Sequence, residues 1–338
     1  MRLHRFAIFT AATTLPLIFI GGLVTSHDAA LAVPDWPTTY GYNMFLFPWK
    51  KMVGGIFYEH SHRLVASFVG FLTIILAVRL QLSESRTWIK RLGWVALGLV
   101  IIQGVLGGLR VVLLQKEIAI FHACLAQSFF CMLWAIALFT SLWWKNQPNV
   151  ARKRDEGSLR KWTLLVTVLI FIQLILGATM RHTNSGLAVP DFPLVYGKIL
   201  PPLNETALAQ VNEARIWQWG LDPVTFSQIA IHLAHRLWAI AVTLGVIAIF
   251  RMIWHYHWNE KIFKIFALLL GSLLVGQIML GISVIWTSKA ADIATAHVAI
   301  GALMLGTSFL LTLISFRVLA PVNQFSSIPI VTSEKVPA

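Results

Sequence analysis

Acidic residues are scarce in this chain. Asp and Glu number 14 in 338 residues, against 27 Lys and Arg, and charged residues of all kinds make up only 12%. So little charge beside 57% hydrophobic residues excludes a water-soluble globular protein, which needs far more solvated side chains on its surface. Cysteine is nearly missing too. Cys124 and Cys131 are the only two, and their spacing on one predicted helix separates them by about 10 Å, beyond disulfide reach. Both read as packing residues, and a disulfide framework is excluded. No Arg- and Ser-rich leader of the organellar kind opens the sequence, which favours a bacterial plasma membrane.

What the chain has in abundance is long apolar runs, and its mean hydropathy is +0.73. A spanning helix needs roughly 20 apolar residues, and eight such runs occur, near 6–24, 56–78, 92–114, 118–144, 162–180, 228–250, 265–286 and 294–316. The expected fold class is an all-α polytopic membrane protein. Seventeen of the 27 Lys and Arg residues, among them Arg2, Arg5, Arg86, Arg91, Lys153, Arg160, Lys264 and Arg317, fall on one side of these runs. The positive-inside rule then places both termini in the cytoplasm and the two long loops, near 25–55 and 181–227, outside. The formal net charge of +13 is a topology signal, and nucleic acid is not an expected partner. An alanine-rich stretch after the first run imitates a secretory cleavage site, but the same Leu-Ala-Val-Pro-Asp string recurs deep inside the chain, so the first run reads as a retained helix.

That recurrence is a tandem duplication. Leu31 to Pro37, with Tyr40 and Gly41, matches Leu187 to Pro193, with Tyr196 and Gly197, at an offset of 156. His62-Arg63 matches His235-Arg236 at 173, Gln103 and Gly107 match Gln277 and Gly281 at 174, and His122 matches His297 at 175. The jump in offset puts an insertion near Pro201 to Gly220. Expected boundaries are 1–144 for the first four-helix half, 145–161 for a cytoplasmic linker, 162–317 for the second half and 318–338 for an unstructured cytoplasmic tail. Two four-helix bundles with the same orientation should be related by a pseudo-twofold axis along the membrane normal.

His62, His122, His235 and His297 all fall near the outer ends of their helices, and the duplication sorts them into two pairs. An imidazole inside a bilayer is costly unless something binds it, and two facing imidazoles at one depth are the ligand set of a haem iron. Zinc or copper would want Cys, Met or carboxylate neighbours at tight spacing, and none is evident. The other histidines lie in loops or lack counterparts, apart from His232, which occupies the place of Glu59 three residues before the ligand. Residues i and i+3 share a helix face, so Glu59 should open onto the His62 cavity as a proton acceptor or donor. A purely structural pairing with Arg63 competes with that reading. Arg63 and Arg236 are matched to a porphyrin propionate or equally to snorkelling toward the interface. Asp35 and Asp191 are suited to ordering a turn in a lid over each pocket, and Gln103, Gln173 and Gln277 to interhelical hydrogen bonds beside glycine contacts.

Glu59-x-x-His62-Arg63, the second His235-Arg236, the histidines opening the fourth and eighth helices and the duplicated four-helix halves together resemble the haem A synthase family. The likeness runs from about residue 6 to 317. It implies oxidation of the C8 methyl of haem O to a formyl through hydroxylated intermediates, for use by haem-copper oxidases. It further implies that His235 and His297 ligate a resident haem b acting as electron relay, that His62 and His122 hold the substrate haem O, and that Glu59 serves the oxidation. Implied partners are membrane lipid, haem O, haem O synthase, cytochrome oxidase assembly proteins and an electron acceptor of unknown identity. Some members carry a cysteine pair in the first outer loop, whereas residues 25–55 contain none here, so no mechanism using that pair applies. Two other functions fit the same histidines: a dihaem electron-transfer cytochrome, and a haem carrier or assembly factor.

Overall fold

The computed structural model describes residues 2–146, 153–155 and 158–320. Its α-helices, in chain order, are α1 (Arg2–Ser26), α2 (Gly55–Ser83), α3 (Thr87–Leu113), α4 (Lys116–Thr140), α5 (Leu142–Asn146), α6 (Leu159–His182), α7 (Glu205–Trp219), α8 (Phe226–Met252), α9 (Lys261–Trp286) and α10 (Ala291–Val318). All except the short α5 and the polar α7 are long and apolar enough to cross a membrane, where a helix satisfies every backbone group internally. The protein is an all-α, multi-pass membrane protein.

Helix limits follow local chemistry. α8 opens on a capping box between Thr225 and Gln228. α7 occupies the inserted segment, opened by the Asn204 side chain accepting from the Ala207 amide and closed by Gly220 at φ 62°. The fourth apolar run, expected as one helix to 144, breaks at Ser141. That hydroxyl donates to the Leu138 carbonyl and accepts from the Trp144 amide, which ends α4 and starts α5. The sixth run continues past 250 into a π-helical turn, Ile253–His257. The tail is not irregular from 318 as expected, because Val318 ends α10 and Leu319–Ala320 pairs in parallel with Lys153–Arg154 of the linker. The rest of the tail, and residues 147–152, 156 and 157 of the linker, lie outside the described residues.

Packing divides the spans into two closed rings. α1 packs on α2, α2 on α3, α3 on α4, and α4 back on α1; α6, α8, α9 and α10 close in the same way. The rings meet through α1 against α10, α4 against α6, and α4 against α10. Burial agrees: 67% of the apolar stretch of α10 and 56% of that of α4 lie inside the protein, against 17% for α3 and α9. The histidine-bearing α4 and α10 therefore form the centre. Small residues let them close, since a Cβ on Gly306 would lie 2.8 Å from the Phe130 ring, and within the second ring Thr167 of α6 hydrogen-bonds Ser308 and Thr312 of α10.

Both long loops leave from one face, called the loop face below. There Arg181 at the end of α6 donates to the Gly22 carbonyl (2.5 Å) and the Ser26 hydroxyl (2.6 Å) at the end of α1. At the opposite face Glu84, buried between α2 and α3, accepts two bonds of 2.9 Å from Arg86 and faces Lys145 at 3.6 Å, while Arg86 also donates to the Phe139 carbonyl of α4 (2.8 Å). The Arg86 hydrogen bonds hold the Glu84 carboxyl far below the ordinary carboxylate value of 4.5, at about 2. A depressed folded-state value adds stability that is present above pH 4.5 and is lost as pH falls from 4.5 toward 2. Glu84→Gln should therefore remove on the order of 1–3 kcal/mol at neutral pH. Thermal unfolding of the detergent-solubilised protein checks this: the wild type should lose stability through that acid window, and the variant should not show this component.

Candidate functional site

The four histidines all lie in the second or third turn from the loop face, on α2, α4, α8 and α10. Each ring faces a glycine on a neighbouring helix. A Cβ at Gly21 of α1 would lie 2.9 Å from His62 Cε1, at Gly107 of α3 3.4 Å from His122 Cε1, at Gly177 of α6 3.2 Å from His235 Cε1, and at Gly281 of α9 3.1 Å from His297 Cε1. Three of these distances are closer than ordinary contact, so the missing side chain is what lets the ring lie against the helix. The glycines obey the duplication at the same offsets of 156 and 174.

His235 and His297 face each other with ring centroids 6.5 Å apart. An iron between two imidazoles, at about 2 Å per metal–nitrogen bond, separates ring centroids by a little over 6 Å. The Nδ1 atoms of His62, His122 and His297 are buried without a hydrogen-bond partner among the described residues, a cost that a ligand would offset. No three of His, Cys, Asp or Glu gather as a metal cage among those residues, whereas a haem iron carries four porphyrin nitrogens and asks the protein for only two ligands. The donor set fits haem.

The glutamines do bond across helices, and their targets are the histidines. Gln173 Nε2 lies 3.2 and 3.3 Å from the two ring nitrogens of His235 and donates to its backbone carbonyl at 3.1 Å. Gln277 Nε2 lies 3.4 Å from His297 Nε2. In the first ring Gln103 reaches only the backbone carbonyl of His122 (3.1 Å), and the counterpart of Gln173 is Leu17. Glutamine amides thus hold both histidine rings of one pair and neither of the other.

The Leu-Ala-Val-Pro-Asp loops cap both sites. Asp35 accepts from the amides of Tyr40 (2.7 Å) and Gly41 (2.9 Å), and Asp191 from those of Tyr196 and Gly197 (both 2.8 Å). They thereby hold two-residue turns in which both central residues have positive φ. Arg63 donates to the carbonyls of Val33, Asp35 and Thr38, and Arg236 to those of Val189, Asp191 and Leu194. These guanidinium groups, read from sequence as suited either to a propionate or to the lipid interface, fasten the loops. Glu59 joins the same arrangement: one carboxylate oxygen accepts from Arg63 (2.7 Å) and the other from the Val33 amide (2.9 Å). Its counterpart His232 donates from Nδ1 to the Ser185 carbonyl (2.9 Å), fastening the second loop with different chemistry.

Three loop-face side chains escape sequence reading. His60, set aside for want of a repeat counterpart, is buried on α2 with Nδ1 3.1 Å from the Thr39 hydroxyl and its ring 5.0 Å from Phe47; its place inside the His62 helical run was the available signal. Arg215 of the inserted α7 is buried and donates to the carbonyls of Leu187, Ala188 and Asp222, which no motif announces. Arg110 ends α3 beside the His62 and His122 pair, and only the absence of a cation at Val284, its repeat partner, marks it. Cys124 and Cys131 are unpaired, Cys131 buried.

A family model described as cytochrome oxidase assembly protein matches residues 4–309. The chain belongs to that family. Among relatives of this family member, a heme A synthase of Alkalihalophilus pseudofirmus is 27% identical over 329 residues, covering 94% of this chain and 98% of the relative. A heme A synthase of Lysinibacillus sphaericus is 27% identical and covers 90% and 92%, and one from Caulobacter sp. is 26% identical and covers 92% and 94%. These matches run across both rings and all four histidines.

The glycine cradles are open to test. Gly281→Val should push His297 out of line and lower iron-porphyrin retention at its pair by about tenfold or more, the loss typical of disturbed ligand support. Gly21→Val should do the same at His62 alone. Absorption and magnetic circular dichroism of each purified variant should show one site lost and the other kept.

Proposed function

We propose that this protein is a haem A synthase of a bacterial inner membrane, an oxidoreductase that converts the C8 methyl of haem O to a formyl. The observation that carries this reading is the duplicated histidine pair, each ring cradled by a glycine beneath a fastened loop. The names of full-length relatives support it at the level of the reaction. We read the two rings as pseudo-twofold partners about the α4 and α10 seam, a relation their matching contact pattern supports, with both termini cytoplasmic.

In this reading His235 and His297 hold a resident haem b, and His62 and His122 hold the substrate haem O. The asymmetry of the glutamines favours that assignment. Turning the Gln173 amide over would offer Oε1, now buried without a partner, to the Nδ1–H of His235, leaving Nε2 free for iron. Such support fixes a ligand ring, as a permanent cofactor requires, and the first pair lacks it. Bound haem supplies the redox chemistry, since turning a methyl into an aldehyde removes four electrons and needs an outlet. This chain's own residues orient the ring, exclude water through the loops and move protons. Glu59 is the acid nearest the substrate ligand in sequence, and we assign it the proton acceptor role. Its carboxylate reaches a proton by giving up the Arg63 or Val33 bond, which couples proton transfer to the first loop. The electron acceptor, and any contact with haem O synthase or oxidase assembly proteins, lie beyond this assignment.

Acid extraction of pigment from purified protein, with chromatographic separation of haems, separates this reading from its rivals. Haem O and haem A alongside haem b support a synthase. Haem b alone at two per chain supports an electron-transfer cytochrome, and one labile haem without chemical change supports a carrier. His235→Ala or His297→Ala should abolish the low-spin b signal, and its survival would sink the assignment. His62→Ala or His122→Ala should keep that signal and lose haems O and A. Glu59→Gln, which keeps an acceptor for the Val33 amide, should retain haem b and stall product by roughly 100-fold or more, the scale of a lost general base. Normal haem A formation in that variant would reject the proton role.

A further inference from the structure

One partly buried charge at the loop face has no partner in the arrangement described so far. Arg110 lies in the last turn of α3, partly buried, and its guanidinium makes no hydrogen bond or ion pair among the described residues. Three residues before it on the same helix face, Gly107 lies against the His122 ring, where a Cβ would sit 3.4 Å from Cε1, which puts Arg110 about one turn beyond the first histidine pair toward the loop face. The carboxylate within its reach, Glu59, is already held by Arg63 and Val33. Arg181, the other cation there, is bonded to Gly22 and Ser26 and offers no counter-charge. A cation drawn this far into an apolar bundle without an anion is costly.

Its surroundings are specific to the first ring. Two residues before it, Gly108 receives the Trp36 indole so closely that a Cβ there would lie 2.3 Å from the ring. The repeat partners of Gly108 and Arg110 are Ile282 and Val284. The second ring therefore has neither the aromatic seat nor the cation, although both rings keep their histidines, glycines and loops. Since the duplication preserves what holds an iron in each ring, the added guanidinium belongs to whatever only the first ring must recognise.

We infer that Arg110 is the anion anchor of the first site, pairing with a carboxylate side chain of the porphyrin that His62 and His122 hold. An iron between two imidazoles leaves the porphyrin free to rotate about the iron axis, so axial ligands alone cannot choose which ring edge meets the protein. A guanidinium at one point of the mouth fixes that rotation, because only the edge bearing carboxylates can satisfy it. Arg110 thereby sets which methyl is presented for oxidation, as a positioning residue. The inference rests on the first ring being the substrate site.

The test uses the full-length protein with its second site filled, titrated with haem O and with haem O whose two carboxylates are methyl esters. The wild type should bind the free acid roughly tenfold or more tighter than the diester, the scale of one charge-assisted hydrogen bond. Arg110→Leu should erase that preference while leaving diester affinity within about twofold, and Arg110→Lys should restore part of it. A helix C-terminus also favours a cation, but that role would not distinguish acid from ester. A preference that persists in Arg110→Leu, no preference in the wild type, or equal weakening of both ligands would overturn the inference. So would loss of co-purifying anionic lipid from the variant with haem binding unchanged, which would assign the charge to a headgroup. An intact low-spin signal from the second site reports that each variant is folded; Arg110→Gln serves if Arg110→Leu loses it. Failure of His62→Ala to weaken either ligand would instead count against the first ring as the substrate site.

Discussion

The close approach of a flat ring to a helix backbone governs the loop face. Two helices packed through ordinary side chains stand 8–10 Å apart, and an imidazole between them would be displaced by any Cβ it met. Glycine at positions 21, 107, 177 and 281 removes that Cβ, so each ring lies against its neighbour and is held at one orientation by contact alone. Helix pairing, histidine depth and ring direction become one constraint. Substitutions there act on ligand geometry before they act on stability, because the helices themselves stay apolar and long enough to span.

A second constraint is the fastening of the outer loops. Backbone carbonyls in an irregular segment near a membrane need donors, and Arg63 and Arg236 supply three each from the residue that follows a histidine. The loop fastener and the histidine are thus carried on the same turn of helix. Glu59 and His232 show how the duplication diverges without losing this link: one accepts from a loop amide, the other donates to a loop carbonyl. Either fastens its loop, but only the carboxylate adds a group able to take up a proton and remain hydrogen-bonded. Geometry is shared between the halves, and chemistry is not.

The spans and the facing of His235 and His297 were legible because each rests on a strong signal: 20-residue apolar length, and histidines at matching depth in a repeated sequence. The turn-forming aspartates were legible for the same reason, since Asp35 and Asp191 precede Tyr-Gly at equal spacing. What escaped depends on single side chains choosing partners far away in sequence. Whether Arg63 meets a propionate, the lipid interface or its own loop is decided by where Val33 and Asp35 lie, and no local pattern encodes that. Gln173 was legible as an interhelical hydrogen-bond former, but not its target, because His235 lies 62 positions away. The break at Ser141 was hidden inside a continuous apolar run, where one hydroxyl outweighed helical propensity.

The differences between the halves point in one direction. In the second ring, amides reach both histidine rings, and support of this kind typically changes metal affinity by 10- to 100-fold. In the first ring Leu17 stands where Gln173 would be, and Gln103 stops at a backbone carbonyl. The first ring has features away from its histidines instead: a tryptophan seated on Gly108, a carboxylate bonded to the loop and, at the end of α3, a guanidinium without a hydrogen-bond partner among the described residues. A site that must retain its occupant gains most from rigid axial ligands. A site that must admit, orient and release one gains more from contacts at the ring edge, which distinguish one porphyrin from another without tightening the grip on iron. On the assignment proposed above, the division of labour would be written in which atoms of a shared scaffold are supported, and it would need no difference in fold between the two halves.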